Sequence, residues 1–163
     1  MPTTYEPIAT TTLGSAAATI TFSTIPATYT DLRLVLVGLA TADLNAHFRF
    51  NSDTGSNYSY TYVYGDGSTA ASGILSNFTR IQPYDSVYSS TPSLITLDVF
   101  SYAGSTFKTT LMTQSNDKNG TGTVSRTVGL WRSTSAITSC SVTASTSTFA
   151  TGTTATLYGI KNA

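Results

Sequence analysis

The sequence predicts an all-β fold, a single antiparallel β-sandwich, from three observations. Apolar and polar residues alternate in short runs that are separated by Gly, Pro, Asn, Asp and Ser. Threonine (33 residues) and serine (22 residues) make up about a third of the 163 residues, and β-branched Thr favours strands. No window of helical length shows an apolar period of 3.6 residues with caps. A jelly-roll-like sandwich is the expected form, and a small β-barrel is the alternative.

Nine runs are predicted as strands because each combines alternation with flanking turn residues. In chain order they cover residues 19–22, 32–37, 46–50, 58–64, 94–100, 107–113, 124–132, 137–143 and 155–160. A weaker tenth strand is expected at 74–81. The turn-rich stretches between them are 51–57, 65–68, 116–122 and 145–154.

The length is that of one ordinary domain, and no internal repeat of fixed period divides the chain. Residues 1–13 are predicted to form an N-terminal arm or an edge strand outside the main core. Residues 14–163 are predicted to form a single β-sandwich domain.

Charge is scarce and balanced, with charged residues at 10% and a net charge of zero. No cluster of Lys or Arg is long enough to neutralise a phosphate backbone, so we expect no nucleic-acid partner. A near-neutral surface instead favours self-association or docking to a larger assembly. The sequence lacks the pattern of a signal peptide and a stretch of about 18 apolar residues, so we expect neither secretion by that route nor a membrane span.

Residues for catalysis are few, because the chain has one His, one Cys and one Glu. His47 is predicted to lie beside Arg49 on the polar face of a strand, opposite three apolar residues, as a surface histidine. Cys140 is predicted to be a buried, inert thiol. No nucleophile elbow or phosphate loop is present, and no feature selects a pair of aspartates for glycoside cleavage. We therefore expect no enzyme, no catalytic, cofactor-binding or metal-binding residue, and no cofactor.

Aromatic residues are the best candidates for contact with a partner. Period 2 places Tyr58, Tyr60, Tyr62 and Tyr64 on one face of a strand, where they suit either a protein interface, a sugar-stacking platform or the lining of the core. Trp131 is a candidate binding hot spot, with the cap of a second apolar layer as the alternative. The N-terminal dozen residues, with Tyr5, Pro7 and Ile8, are a candidate docking arm that pairs through main-chain hydrogen bonds.

Several segments together resemble short Thr/Ser-rich proteins encoded in the structural modules of tailed bacteriophages. The segments are YEPIATTTL at 5–13, TIPATYTDLRLVL at 24–36, FRFNSDTGSNYS at 48–59, GLWRSTSAI at 129–137 and ATLYGIK at 155–161. They span most of the chain and contain no catalytic signature. The resemblance implies a virion component, and decoration proteins of this size are often jelly-roll-like trimers.

From this resemblance we expect a capsid cement (decoration) protein that binds across capsomer junctions and stabilises the head. The alternative is a tail-fibre or receptor-binding module that recognises a host surface glycan. The expected partners are the major capsid protein lattice and further copies of the chain, as a homo-oligomer such as a trimer. The expected location is the capsid surface of the virion, after synthesis in the cytoplasm of the host bacterium.

Overall fold

The computed structural model describes residues 4–161, which form eleven β-strands and no helix. Within that range there is accordingly no helix that is long and apolar enough to cross a membrane. The strands are β1 (Tyr5–Thr12), β2 (Thr19–Phe22), β3 (Asp31–Gly38), β4 (Ala46–Phe50), β5 (Tyr58–Gly65), β6 (Ala70–Phe78), β7 (Ser93–Val99), β8 (Lys108–Asn116), β9 (Thr123–Trp131), β10 (Cys140–Ala144) and β11 (Thr154–Ile160).

Alternating burial explains why these segments are strands. On β3, Leu32, Leu34 and Leu36 are buried, whereas Arg33 and Val35 between them are only partly covered. On β4, Ala46, Phe48 and Phe50 are buried and the two residues between them face outward. Each strand therefore contributes one apolar row to a common core.

The strands form two antiparallel sheets that pack as a β-sandwich, which confirms the predicted fold class. The larger sheet has eight strands in the order β1-β11-β3-β7-β8-β9-β5-β6, and the smaller has three in the order β2-β10-β4. The core lies between the sheets and includes Phe48, Leu97 and Trp131. The jelly-roll form is not confirmed, because the eleven strands divide into eight and three. The larger sheet is open, with β1 and β6 at its edges, so it is not the alternative barrel.

A short segment extends the smaller sheet beyond β4. Phe48 and Ile81 exchange two main-chain hydrogen bonds, with N···O distances of 2.8 and 3.1 Å, and Leu44 and Val87 form a second bridge. Residues 79–88 therefore run along the free edge of β4 and cover this side of the core.

Two predicted strands differ clearly from the observed ones in where they begin. The strand expected at 137–143 begins only at Cys140, although the side chain of Ile137 is buried. The weaker strand expected at 74–81 lies at 70–78, where its pairing with β5 holds it. The N-terminal residues 5–12 form the edge strand β1, which pairs with β11.

Candidate docking faces of the sandwich

The four tyrosines of β5 share the inner face of the larger sheet, but they are not equally accessible. Tyr58 is fully buried and Tyr60 is 4% exposed, whereas Tyr62 and Tyr64 are half-buried. The hydroxyl of Tyr58 accepts a hydrogen bond from the backbone N–H of Phe50 at 3.1 Å. Burial raises the pKa of Tyr60 to about 12. The first two tyrosines of the run therefore belong to the core and are not available to a partner.

Trp131 is also a core residue, with 2% of its surface exposed. Its ring stacks on Tyr58 with centroids 6.3 Å apart and contacts Phe50 with centroids 5.6 Å apart. The indole N–H donates to the carboxylate of Asp53. Trp131 thus packs in the main core and does not cap a second apolar layer. Like Tyr58 and Tyr60, it exposes too little surface to contact a partner.

Tyr62 and Tyr64 join a third tyrosine, Tyr84, to form a half-buried cluster that we call the tyrosine triad. The rings of Tyr64 and Tyr84 stack with centroids 3.5 Å apart and planes inclined by 8°. Tyr62 lies 5.2 Å from Tyr84, centroid to centroid. A hydrogen bond with Tyr64, burial and the neighbouring Tyr64, Tyr62 and Asp85 raise the pKa of Tyr84 to about 12. Tyr62 and Tyr64 are therefore the residues of the tyrosine run that stay partly accessible, and Tyr84 adds a third ring beside them.

The outer face of the larger sheet has no covering layer in the described part of the chain. Six aliphatic side chains on this face are between 40% and 75% exposed: Val37, Val63, Ile74, Leu94, Val124 and Val128. We call this surface the aliphatic face. Threonines fill much of the remaining area. The sequence indicates this face, because β7 and β9 carry apolar residues at both odd and even positions. Such a pattern is typical of strands that are covered on both faces.

The aliphatic face carries little uncompensated charge. Arg33 and Asp98 lie opposite each other on neighbouring strands and form a bidentate ion pair with N···O distances of 2.5 and 2.8 Å. Arg126 is exposed near Val124. A shallow groove of about 430 Å³ runs between β5 and β9 and is lined by Val63, Val124 and Arg126. Such a groove can accept an apolar side chain from a partner.

The outer face of the smaller sheet is polar and positively charged, in contrast to the aliphatic face. Thr19 and Thr21 on β2, with Ser141 and Thr143 on β10, point outward beside His47 and Arg49. Because Phe48 bridges Ile81, the antiparallel register puts Arg80 opposite Arg49 and Gln82 opposite His47. We call this hydroxyl-rich surface the cationic face. Neither its three strands nor residues 79–82 contain an Asp or a Glu.

The neighbouring positive charges of the cationic face affect the pKa of its histidine. Partial burial and the neighbouring guanidinium groups of Arg80 and Arg49 lower the pKa of His47 to about 4. Arg80 lies over the ring of Phe78, with 4.3 Å between the guanidinium carbon and the ring centroid. His47 and Arg49 lie on the polar face as predicted. Sequence reasoning missed Arg80, because the bridge to Ile81 that brings it near joins distant parts of the chain.

The N-terminal candidates lie at the β1 edge of the larger sheet. Tyr5 is 45% exposed, and its ring centroid is 5.5 Å from the guanidinium carbon of Arg33. Pro7 is exposed and precedes a bulge in the pairing with β11. Ile8 is partly buried and packs against the core. These residues make main-chain contacts within their own chain, and their contact with a partner stays a prediction.

No group of three His, Cys, Asp or Glu residues within 4–161 is close enough together to bind a metal ion. Cys140 is buried, and burial raises the pKa of its thiol to about 12. Comparisons with family models, curated proteins and solved structures find no match. The resemblance to tailed-phage structural proteins therefore stays a prediction. The accessible features from which a function can be argued are the aliphatic face, the tyrosine triad and the cationic face.

Proposed function

We propose that this chain is a non-enzymatic structural protein of a tailed-phage virion, a capsid cement protein that seats its aliphatic face on the head and stabilises it. The observation that supports this proposal best is the aliphatic face itself, which leaves Ile74 75% exposed and Val128 53% exposed. Several exposed aliphatic side chains that share one uncovered sheet face, here interspersed with Ser and Thr, favour an interaction site. The virion assignment rests in addition on the resemblance of the five sequence segments.

The size of the face is appropriate for a specific interface. Strands of seven to nine residues, spaced about 4.8 Å apart across eight strands, present roughly 900 Å². A standard protein interface buries about 800 Å² on each partner. The outer face of the larger sheet is therefore large enough for one specific interface with a partner.

The chemistry of the face also favours docking. Burial of aliphatic side chains is favourable by about 25 cal/mol for each Å² removed from water. The ion pair between Arg33 and Asp98 keeps its own hydrogen bonds, so covering this pair leaves neither of its two charges without a partner. Arg126, beside the groove, is the charge that a partner would have to match. Many copies bound to one shell would add these modest contacts together.

The test is binding of purified protein to phage capsids that lack it, followed by sedimentation of the particles. We expect saturable binding by the natural chain and at least a tenfold loss for Val128→Lys, because burying an unpaired ammonium group is costly. Thr21→Lys adds the same charge to the opposite side of the sandwich and is the matched control. Cryo-microscopy of whole virions provides the second test, since density for this chain only on the tail would overturn the cement proposal.

The cement proposal includes self-association into a homo-oligomer such as a trimer. Light scattering of the purified chain at several concentrations measures this directly. A mass near the 17.1 kDa of one chain at every concentration would contradict the oligomer while leaving capsid binding open to its own test.

The tyrosine triad favours a second candidate function, a tail-fibre module that recognises a host surface glycan. Tyrosine rings are common sugar-contacting platforms, and Tyr62 and Tyr64 are both partly accessible. We expect glycan binding by this module to be lost in Tyr62→Ala and Tyr64→Ala. Tyr158→Ala, on the outer face of the larger sheet, is the control variant. Glycan-array binding that survives both changes in the triad would exclude this function.

A further inference from the structure

The cationic face contains an arrangement that the proposed docking function does not use. Residues directly opposite on antiparallel strands have Cβ atoms about 5 Å apart, so the register puts Arg49 and Arg80 at neighbouring positions on this face. Burial and the nearby charge of Arg49 both lower the pKa of Arg80. Like charges in this position destabilise a sheet. Nothing on the adjoining strands compensates them, since the neighbours of Arg49 and His47 on β10 are Ser141 and Thr143.

The two guanidinium groups are held in place by their Nε atoms. Arg49 donates from Nε to the carbonyl oxygen of Thr79 at 3.0 Å, and Arg80 donates from Nε to Oε1 of Gln82 at 2.7 Å. Phe78 supports the Arg80 guanidinium from beneath. Within the described residues the three ion pairs are Arg33–Asp98, Lys118–Asp43 and Lys161–Glu6, so neither Arg49 nor Arg80 is paired with a carboxylate. Their terminal amino groups remain available to an external acceptor.

We propose that the cationic face binds an oxyanion of the phosphate or sulfate class between Arg49 and Arg80, with His47 beside it. Guanidinium groups bind such oxyanions through paired, charge-assisted hydrogen bonds. The hydroxyl groups of Ser141 and Thr143 supply further donors on the same face. The bound anion neutralises the repulsion between the two arginines. This site is independent of the cement proposal, because it lies on the opposite side of the sandwich from the aliphatic face.

His47 is the chain's single histidine, so the proton on its Cε1 gives one NMR signal that can be assigned to this residue. The groups that face it are Arg49 on its own strand, Arg80 and Gln82 on the neighbouring segment, and the uncharged Thr143 on β10. The experiment titrates the purified chain with inorganic phosphate and with sulfate at constant ionic strength, with chloride as the reference. We expect a saturable shift of the His47 signal with phosphate and sulfate, and a rise in the pKa of His47 above about 4 when either is bound.

Two variants separate a specific site from general attraction to positive charge. We expect Arg80→Gln to weaken phosphate binding about tenfold, since it removes charge-assisted hydrogen bonds. Arg126→Gln removes the same charge from the aliphatic face and should bind phosphate as tightly as the natural chain. Equal losses in the two variants, or no saturable response of His47 to either oxyanion, would overturn the site. The titration of the natural chain keeps the test decisive even where Arg80→Gln does not fold.

The source of the oxyanion is distinguished by a further titration with glucose 6-phosphate. Tighter binding than that of inorganic phosphate indicates a phosphate group carried on a saccharide. Equal affinity indicates that the ion alone is recognised. Both results support the site. If the sugar phosphate displaces neither phosphate nor sulfate, the result contradicts it.

Discussion

The indole N–H of Trp131 donates to the carboxylate of Asp53, with 2.7 Å between Nε1 and Oδ2. The same carboxylate accepts the backbone N–H of Gly55 at 2.8 Å and the side-chain amide of Asn57 at 2.9 Å. A loop between β4 and β5 is thereby attached to the largest aromatic residue of the core.

Replacing Asp53 by Asn leaves one acceptor oxygen where two accept three donors, so at least one donor loses its partner. We expect Asp53→Asn to lower the free energy of unfolding by about 1 to 3 kcal/mol, measured by urea denaturation. Asp117→Asn is the control, since the amide oxygen of Asn can still accept the backbone N–H of Gly120. A loss for Asp53→Asn no larger than that for the control would contradict this role.

The stability contributed by Asp53 also depends on pH. Burial acts to raise the pKa of Asp53, but hydrogen bonds from Trp131, Asn57 and Gly55 outweigh it, and the net pKa is below the usual value. Its contribution is therefore present above the pKa of the unfolded chain and is lost as the pH falls through the folded pKa.

The free energy of unfolding also depends on the protonation of His47, at pH values above those at which Asp53 titrates. Its folded pKa of about 4 lies below the unfolded value of 6.5, so protons bind the unfolded chain preferentially between these values. We expect the free energy of unfolding to fall by roughly 1 to 2 kcal/mol as the pH drops from 6.5 towards 4, after allowance for solvent screening at a partly exposed side chain. Urea denaturation of His47→Gln should show a flatter profile between pH 5 and about 6.5, where the aspartates stay ionised. An unchanged profile there would assign the dependence to other groups.

Gly159 is required by the close approach of an aromatic ring. A Cβ at this position would overlap the ring of Tyr29, whose hydroxyl donates to Glu6 at 3.2 Å. We expect Gly159→Ala to lower the free energy of unfolding by about 1 to 3 kcal/mol, because the anchored ring cannot move freely. Gly14→Ala, where a Cβ meets open space, should change it little. Thermal denaturation of both variants makes the comparison.

Cys140 is expected to be unreactive in the folded protein. Burial raises the pKa of its thiol to about 12, so almost none of the reactive thiolate is present near neutral pH. A thiol reagent such as DTNB should label the chain in denaturant and leave the native protein unlabelled over the same time. Rapid labelling of the native protein would show that this part of β10 opens.

Alternation predicts the fold class well because each strand places one face against the core. The prediction for 46–50 coincides with β4, where Phe48 and Phe50 alternate with polar residues. The strand predicted at 137–143 begins three residues too early. Ile137 lies in the loop before β10, but its side chain is buried, so the alternation of apolar and polar residues extends beyond the residues that pair in the sheet. The start of β6 was missed because its Ala, Ser and Gly residues have weak strand preferences, and only the hairpin with β5 holds them.

The candidate sites were harder to predict, since they depend on which strands become neighbours. The four tyrosines share one face, as expected from period 2, but Tyr58 is covered by Phe50 of β4, whereas Tyr64 lies against Tyr84 and remains partly accessible. The pairing of Arg49 with Arg80 depends on one bridge between distant segments, which no local pattern encodes. The aliphatic face similarly joins strands from most of the chain.

The molecule has zero net charge, but its charge is unevenly distributed, because the cationic face and the aliphatic face lie on opposite sides of the sandwich. A coat of such molecules, all seated through their aliphatic faces, would add no charge to a particle as a whole, yet its outermost layer would be positive. Electrophoretic mobility and adhesion to polyanionic surfaces depend on this outermost layer, within about 10 Å of solvent at moderate salt. Coated and uncoated heads of equal total charge would then migrate differently in an electric field, and the difference would shrink as salt is added.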